Sequence, residues 1–155
     1  MYDWSSDAFF PGTNALSTAR WGHSATLLDN GDVLIAGGFD ASGNPLASAE
    51  VYTPGTGLGD AGTFAATDGP LPAPVALHQA IKIPTGTHAG QVLLLGGNQG
   101  PAASPTPTHT AVAYDPLLGP TPKGMFATVT DTMAAPRLGF TATLLTGGDR
   151  LLVAG

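Results

Sequence analysis

Cysteine is absent from the 155 residues, which excludes disulfides, thiolate metal ligation and cysteine nucleophiles together but leaves the compartment open. Charge is scarce as well. Only 10% of the residues are Asp, Glu, Lys or Arg, and eleven acids against five bases leave a net charge of −6. A phosphate backbone would meet net repulsion instead of a basic stripe, so nucleic acid is not an expected partner. Apolar runs are short: Val92 to Leu95 is among the longest, far below the roughly 20 residues of a membrane-spanning helix. The stretch from Met1 to Asp7 has neither the basic start nor the apolar centre of a secretory leader. A soluble chain with no membrane partner is the expectation.

What the chain does have is 43% apolar residues with 22 glycines and 14 prolines, a mixture that suits many short strands joined by tight turns. The expected class is all-β. Helical periodicity is nowhere sustained, whereas one pattern returns three times. Its first copy runs from Arg20 and His23 through Leu28, Asn30-Gly31 and Val33 to the doublet Gly37-Gly38, then Glu50, Tyr52-Thr53-Pro54 and Phe64. The second has His78, Val92 to Leu95, Gly96-Gly97, Tyr114-Asp115-Pro116 and Phe126, and a third opens at Arg137 and closes at Gly155. Gly37, Gly96 and Gly155 stand 59 apart, while the Tyr and Phe pairs repeat at 62. Four short apolar or β-branched runs in each interval predict four antiparallel strands per unit.

This spacing predicts complete units at 19–72 and 73–134, the end of a preceding unit at 1–18, and the first hairpin of another at 135–155. Tyr2-Asp3 and Phe9-Phe10 resemble the Tyr52 and Phe64 region, so the chain is expected to be a segment of a longer polypeptide. Asn30-Gly31 suits the positive φ values of a type I′ hairpin turn, as does Gly147-Gly148, and Pro84 to Gly90 predicts a longer hairpin in the second unit. The aromatic pairs are expected between neighbouring sheets. Arg20 and Glu50 occur together in the first unit, and Val75 and Val112 replace both in the second. A lone buried charge costs several kcal/mol, so joint loss points to a partnered pair, and Arg20 is predicted to bond Glu50.

The stretch Arg20-Trp-Gly-His23-Ser-Ala-Thr-Leu-Leu28, with the glycine doublets, the Tyr-x-Pro strings and the later Phe, resembles the kelch repeat family. The likeness is to bacterial kelch and galactose-oxidase-like propellers in particular, over nearly the whole chain. It implies a partial kelch-type β-propeller of about two and a half four-stranded antiparallel blades. Structural repeat positions are then Arg20, His23, Gly37, Gly38, Glu50, Tyr52, His78, Gly96, Gly97, Tyr114 and Arg137; Phe140 departs from the pattern, standing where His23 and His78 stand. A secreted or cell-surface location also follows from the likeness. The copper-radical site of the oxidase branch needs a Tyr cross-linked to Cys, so that site is not carried over to a chain without Cys, and no cofactor is expected.

His23 and His78 are expected to hydrogen-bond adjacent segments, and His88 and His109 lie in loops without the spacing of a zinc or iron site. Gly57-Leu58-Gly59-Asp60-Ala61-Gly62 matches a dinucleotide-binding string, but a strand follows it where a helix is needed, so a turn is expected. Asp29-Asn30-Gly31-Asp32 is too short for a calcium loop, and Ser24 and Thr26 lack a His and carboxylate arrangement. Antiparallel order sends the loops after the second and fourth strands to one face. The loops after the second strands diverge most between units and nominate Asp40, Asn44, Asn98, Gln99 and His109 as ligand contacts. Pro101 to Pro107 reads as a stiff loop.

The expected function is a non-enzymatic scaffold that binds protein or carbohydrate through these loops. Two alternatives stand beside it: a fragment of a secreted galactose-oxidase-like or other sugar-acting enzyme with its catalytic residues elsewhere, and an engineered or cut module without its own activity. No catalytic or metal residue is nominated. Repeat sheets need neighbours to cover their apolar faces, so further blades or self-association are expected.

Overall fold

A computed structural model describes residues 2–3, 5–9, 14–57 and 60–155. Strands and turns make up the described residues, with no helix among them. A short hairpin, β1 (Tyr2–Asp3) and β2 (Ala8–Phe9), precedes a four-stranded antiparallel sheet of β3 (Ser24–Leu27), β4 (Val33–Ala36), β5 (Ala49–Thr53) and β6 (Thr63–Ala66). The second four-stranded sheet is β7 (Gln79–Lys82), β8 (Val92–Leu95), β9 (Ala111–Asp115) and β10 (Met125–Thr128), followed by the hairpin β11 (Thr141–Leu144) and β12 (Leu151–Ala154). In both larger sheets the strands neighbour one another in chain order.

Side chains alternate across a strand, so each register defines two faces. On the first face of the first sheet lie Ala25, Ile35 and Glu50, with Val33, Tyr52 and Phe64 beside them; Leu34, Ala36, Ala49 and Val51 take the second face. The second sheet repeats this arrangement, with Ala80, Leu94 and Val112 beside Val92, Tyr114 and Phe126 on its first face. The main core forms where the second face of the first sheet meets the first face of the second: Leu34, Ala36 and Val51 pack with Val92, Leu94 and Tyr114. Each fully buried aliphatic side chain there contributes about 1.5–3 kcal/mol. The same sense of packing recurs one step on, where Leu93, Leu95 and Ala111 meet Ala142, Leu151 and Val153.

This order explains why matching residues differ in burial. Tyr114 is covered by the preceding sheet and is 1% exposed, whereas Tyr52, on the outward first face, is only half-buried. Their rings still pair locally, Tyr52 with Phe64 at 4.8 Å and Tyr114 with Phe126 at 5.1 Å between centroids. Tyr2 and Phe9 repeat that pairing at 4.9 Å, while Phe10 lies outside the described residues. First strands run beside one another, β3 against β7 and β7 against β11.

The glycine doublets hold the junctions. Gly37 and Gly38 have φ of 61° and 96°, and Gly96 and Gly97 have 55° and 99°, all in the region that side chains disfavour. A Cβ on Gly38 would press on the Trp21 carbonyl and His23, and one on Gly97 on the Ala76 carbonyl and His78. The amide of Gly38 donates to Val75 O at 2.9 Å, and that of Gly97 to Arg137 O at 3.0 Å, stitching each sheet to the segment that opens the next.

Turn chemistry departs from expectation at two hairpins. Gly31 has φ of 88° but Asn30 does not share its sign, which excludes type I′. Leu28 N bonds Asp32 O at 2.8 Å and Gly31 N bonds Leu28 O at 3.2 Å, so Asp29 joins the loop and makes it a three-residue turn ending in a left-handed glycine. Gly147 and Gly148 do have positive φ, yet they sit in a four-residue loop closed by Leu145 N to Arg150 O at 2.9 Å. The long second hairpin is present, with Ile83 N on Gln91 O at 2.8 Å.

Candidate functional site

Two equivalent positions in successive sheets are built in opposite ways. In the first, the wholly buried Arg20 guanidinium donates from Nη1 to the carbonyls of Gly37 (2.8 Å) and Ser48 (2.9 Å). From Nη2 it donates to Ser48 Oγ and to Glu50 Oε1, both at 3.1 Å. The second carboxylate oxygen of Glu50 accepts from Ser17 N at 3.0 Å. The expected Arg20–Glu50 pair is therefore in place, and its surroundings supply the further hydrogen bonds that a buried pair requires. Arg20 Nε alone of its nitrogens finds no partner among the described residues. Arg137 follows the same habit, donating from Nη1 to Gly155 O, the counterpart of Gly37 O.

In the second sheet Pro72, Val75, Thr110 and Val112 stand where Ser17, Arg20, Ser48 and Glu50 stand in the first. The changes agree with one another. Without Glu50 there is no acceptor for a backbone donor, and proline has no N–H to offer. Shortening Arg to Val leaves a cavity of about 200 Å³ lined by Pro72, Val75, Leu94, Gly96, Thr110 and Val112. The role of Pro72 was not foreseen from sequence; the available signal was its position six residues before His78, matching Ser17 before His23.

The histidines also divide. His78 is buried, and its Nε2 lies 2.8 Å from Ser24 Oγ across the junction between sheets, as expected of a tie. Burial first, and the nearby His23 second, push its pKa down to about 4. Its Nδ1 has no partner among the described residues. His23 is exposed and borders a hollow of about 430 Å³ on the outward first face, beside Ala25, Val33, Ile35, Tyr52 and Phe64. His88 Nδ1 bonds Gln91 Oε1 at 3.2 Å.

The hydroxyls of Tyr52 and Tyr114 donate locally, to Ala61 O (3.1 Å) and Lys123 O (2.7 Å) respectively. Burial, with the charges of Asp32, Asp68 and Asp115, pushes Tyr114 up to about 12. Among the described residues no cluster of His, Asp or Glu has the makings of a metal site, and no helix is long and apolar enough to cross a membrane. The glycine-rich string before β6 includes residues 58 and 59, outside the described set; Asp60 closes its described part by accepting from Thr56 N (3.0 Å) and Gly62 N (3.1 Å).

The loops after the second strands meet, with Ala102 N donating to Gly43 O at 2.8 Å. Asp40 is committed to its own loop: Oδ1 accepts from Asn44 N (2.8 Å) and Ser42 N (2.9 Å). The Asn44 amide foremost holds this carboxyl below the usual range, against a smaller opposing effect of desolvation. Asn98 corrects the expectation of direct ligand contact, because it is 1% exposed and its Oδ1 accepts from Gly100 N (2.9 Å) and Thr106 N (2.6 Å). It shapes the loop from beneath. Asn44 and His109 are exposed, while Gln99 is half-buried beside the cavity. No family model matches the chain, and no curated protein matches it significantly.

Proposed function

We propose that this chain is a segment of a kelch-type β-propeller whose loops after the second strands present a binding surface for glycan or protein, with no catalysis of its own. One observation carries the reading: each sheet packs its second face on the first face of the next, twice in the same sense, with first strands adjacent and glycine doublets at matching junctions. Repeated rotation of that step generates a radial array. The two loops touch and are stiffened internally by Asp40 and Asn98, so their tips are preorganised. Exposed Ser42, Asn44, Ser104 and Thr106 are neutral donors and acceptors, which suits sugar hydroxyls better than a charged partner.

A glycan array probed with the purified chain tests this. Binding to a defined set of sugars is expected, with loss when Ser42, Asn44 and Ser104 are changed to Ala together. Absence of glycan binding, or binding untouched by that triple change, overturns the glycan assignment.

A further inference from the structure

We infer that the cavity in the second sheet is a binding site for a small neutral aromatic molecule carrying one O–H or N–H donor, of the size of phenol. The first sheet shows what this place in the fold accepts. There Arg20 fills it, its apolar stem leading to a head that donates to Gly37 O, Ser48 O and Ser48 Oγ. The second sheet keeps that backbone frame. Gly96 has φ of 55° where Gly37 has 61°, and Gly96 N bonds Thr110 O at 3.0 Å as Gly37 N bonds Ser48 O at 3.2 Å. A hydroxyl is kept as well, Thr110 standing for Ser48. What has gone is the occupant and the carboxylate.

Those two losses set the ligand class. With Val112 in place of Glu50 and Pro72 in place of the Ser17 donor, a cation would be buried without a counter-charge, so guanidinium and ammonium compounds are excluded. The walls of Pro72, Val75, Leu94 and Val112 favour an apolar body. At about 200 Å³ the space exceeds the roughly 150 Å³ of apolar cavities that take up benzene. The Gly96 carbonyl, counterpart of an Arg20 acceptor, and the Gln99 amide at the rim supply the polar contact that fixes orientation. This site lies between the first face of the second sheet and the connection that precedes β7, and none of the Ser42, Asn44 and Ser104 positions lines it, so it stands or falls independently of glycan binding.

The test is a titration of methyl-labelled protein, followed by NMR, with phenol, benzene and methylguanidinium in parallel. Phenol is expected to give saturable shifts centred on Val75, Leu94 and Val112, to bind about threefold to tenfold more tightly than benzene through its one hydrogen bond, and methylguanidinium to give none. The variant P72S/V75R/V112E installs the first sheet's solution, and Val75→Phe fills the space without charge. Each folded variant is expected to weaken phenol binding by about tenfold or more. The site is refuted by absence of saturable shifts in the unaltered chain, by shifts centred elsewhere, or by full phenol binding in a folded filled variant. If neither variant folds, the titration of the unaltered chain decides alone. Equal affinity for benzene and phenol overturns the donor requirement.

Discussion

The two four-stranded sheets share strand order, register and aromatic pairing, yet beside its glycine doublet one carries a buried ion pair and the other valines and a cavity. The lesson is that the junction has two self-consistent solutions. In the first, Ser17 N, Arg20, Ser48 and Glu50 satisfy one another; in the second, Pro72, Val75 and Val112 remove donor, cation and anion together. A mixed state is the costly one, because a single leftover charge keeps its desolvation cost without its partner.

The largest effect is therefore expected from breaking the first solution halfway. Glu50→Ala leaves the Arg20 guanidinium buried without a counter-charge and is expected to cost about 3–5 kcal/mol, read as a shift in the urea unfolding midpoint at unchanged slope. A shift under about 1 kcal/mol would mean that the two backbone carbonyls suffice to hold the cation.

A pH-dependent difference comes next. His78 is buried neutral, whereas Phe140 fills the matching place before β11. In the unfolded chain the imidazole takes up a proton near pH 6.5, but in the folded chain only near 4, so the unfolded state binds more protons between those values. Stability is expected to fall as pH drops through that window, by about 3 kcal/mol in all, and to change no further from this group below it. His78→Phe removes that slope while costing the Ser24 bond at every pH. Acid titration of both proteins by denaturant unfolding checks this, and equal slopes would place the titrating group elsewhere.

How much of this was legible beforehand depends on whether the determinant was a pattern or a geometry. Recurring glycine doublets and Tyr and Phe spacings reveal the strands and their sheet order, because period-two alternation and backbone freedom leave a mark on residue type. The Arg20–Glu50 pair was legible for the same reason, as paired loss in the second unit. Turn class at Asn30-Gly31 was not, because the dipeptide is compatible with more than one loop length and Leu28 N to Asp32 O decides it only in three dimensions. Asn98 misled for a related reason: its type suits a binding loop, but its place one residue beyond the doublet is that of the buried Phe39, and burial turns its amide inward. The cavity was invisible as well, since volume left by a shortened side chain depends on whether the walls close in.

The smallest expected effect is the most discriminating. The variant S17P/R20V/E50V gives the first sheet the second sheet's junction, with donor, cation and anion removed together. Hydrophobic replacement of a whole buried pair is often close to neutral, so this triple change is expected to leave the protein about 1–3 kcal/mol more stable than Glu50→Ala, although it alters three residues instead of one. Urea unfolding of both variants measures that gap. A triple variant less stable than the single one would mean that Arg20 contributes mainly by filling space, and that the second sheet tolerates its cavity through the neighbouring Leu71 and Tyr114 packing rather than through the loss of charge.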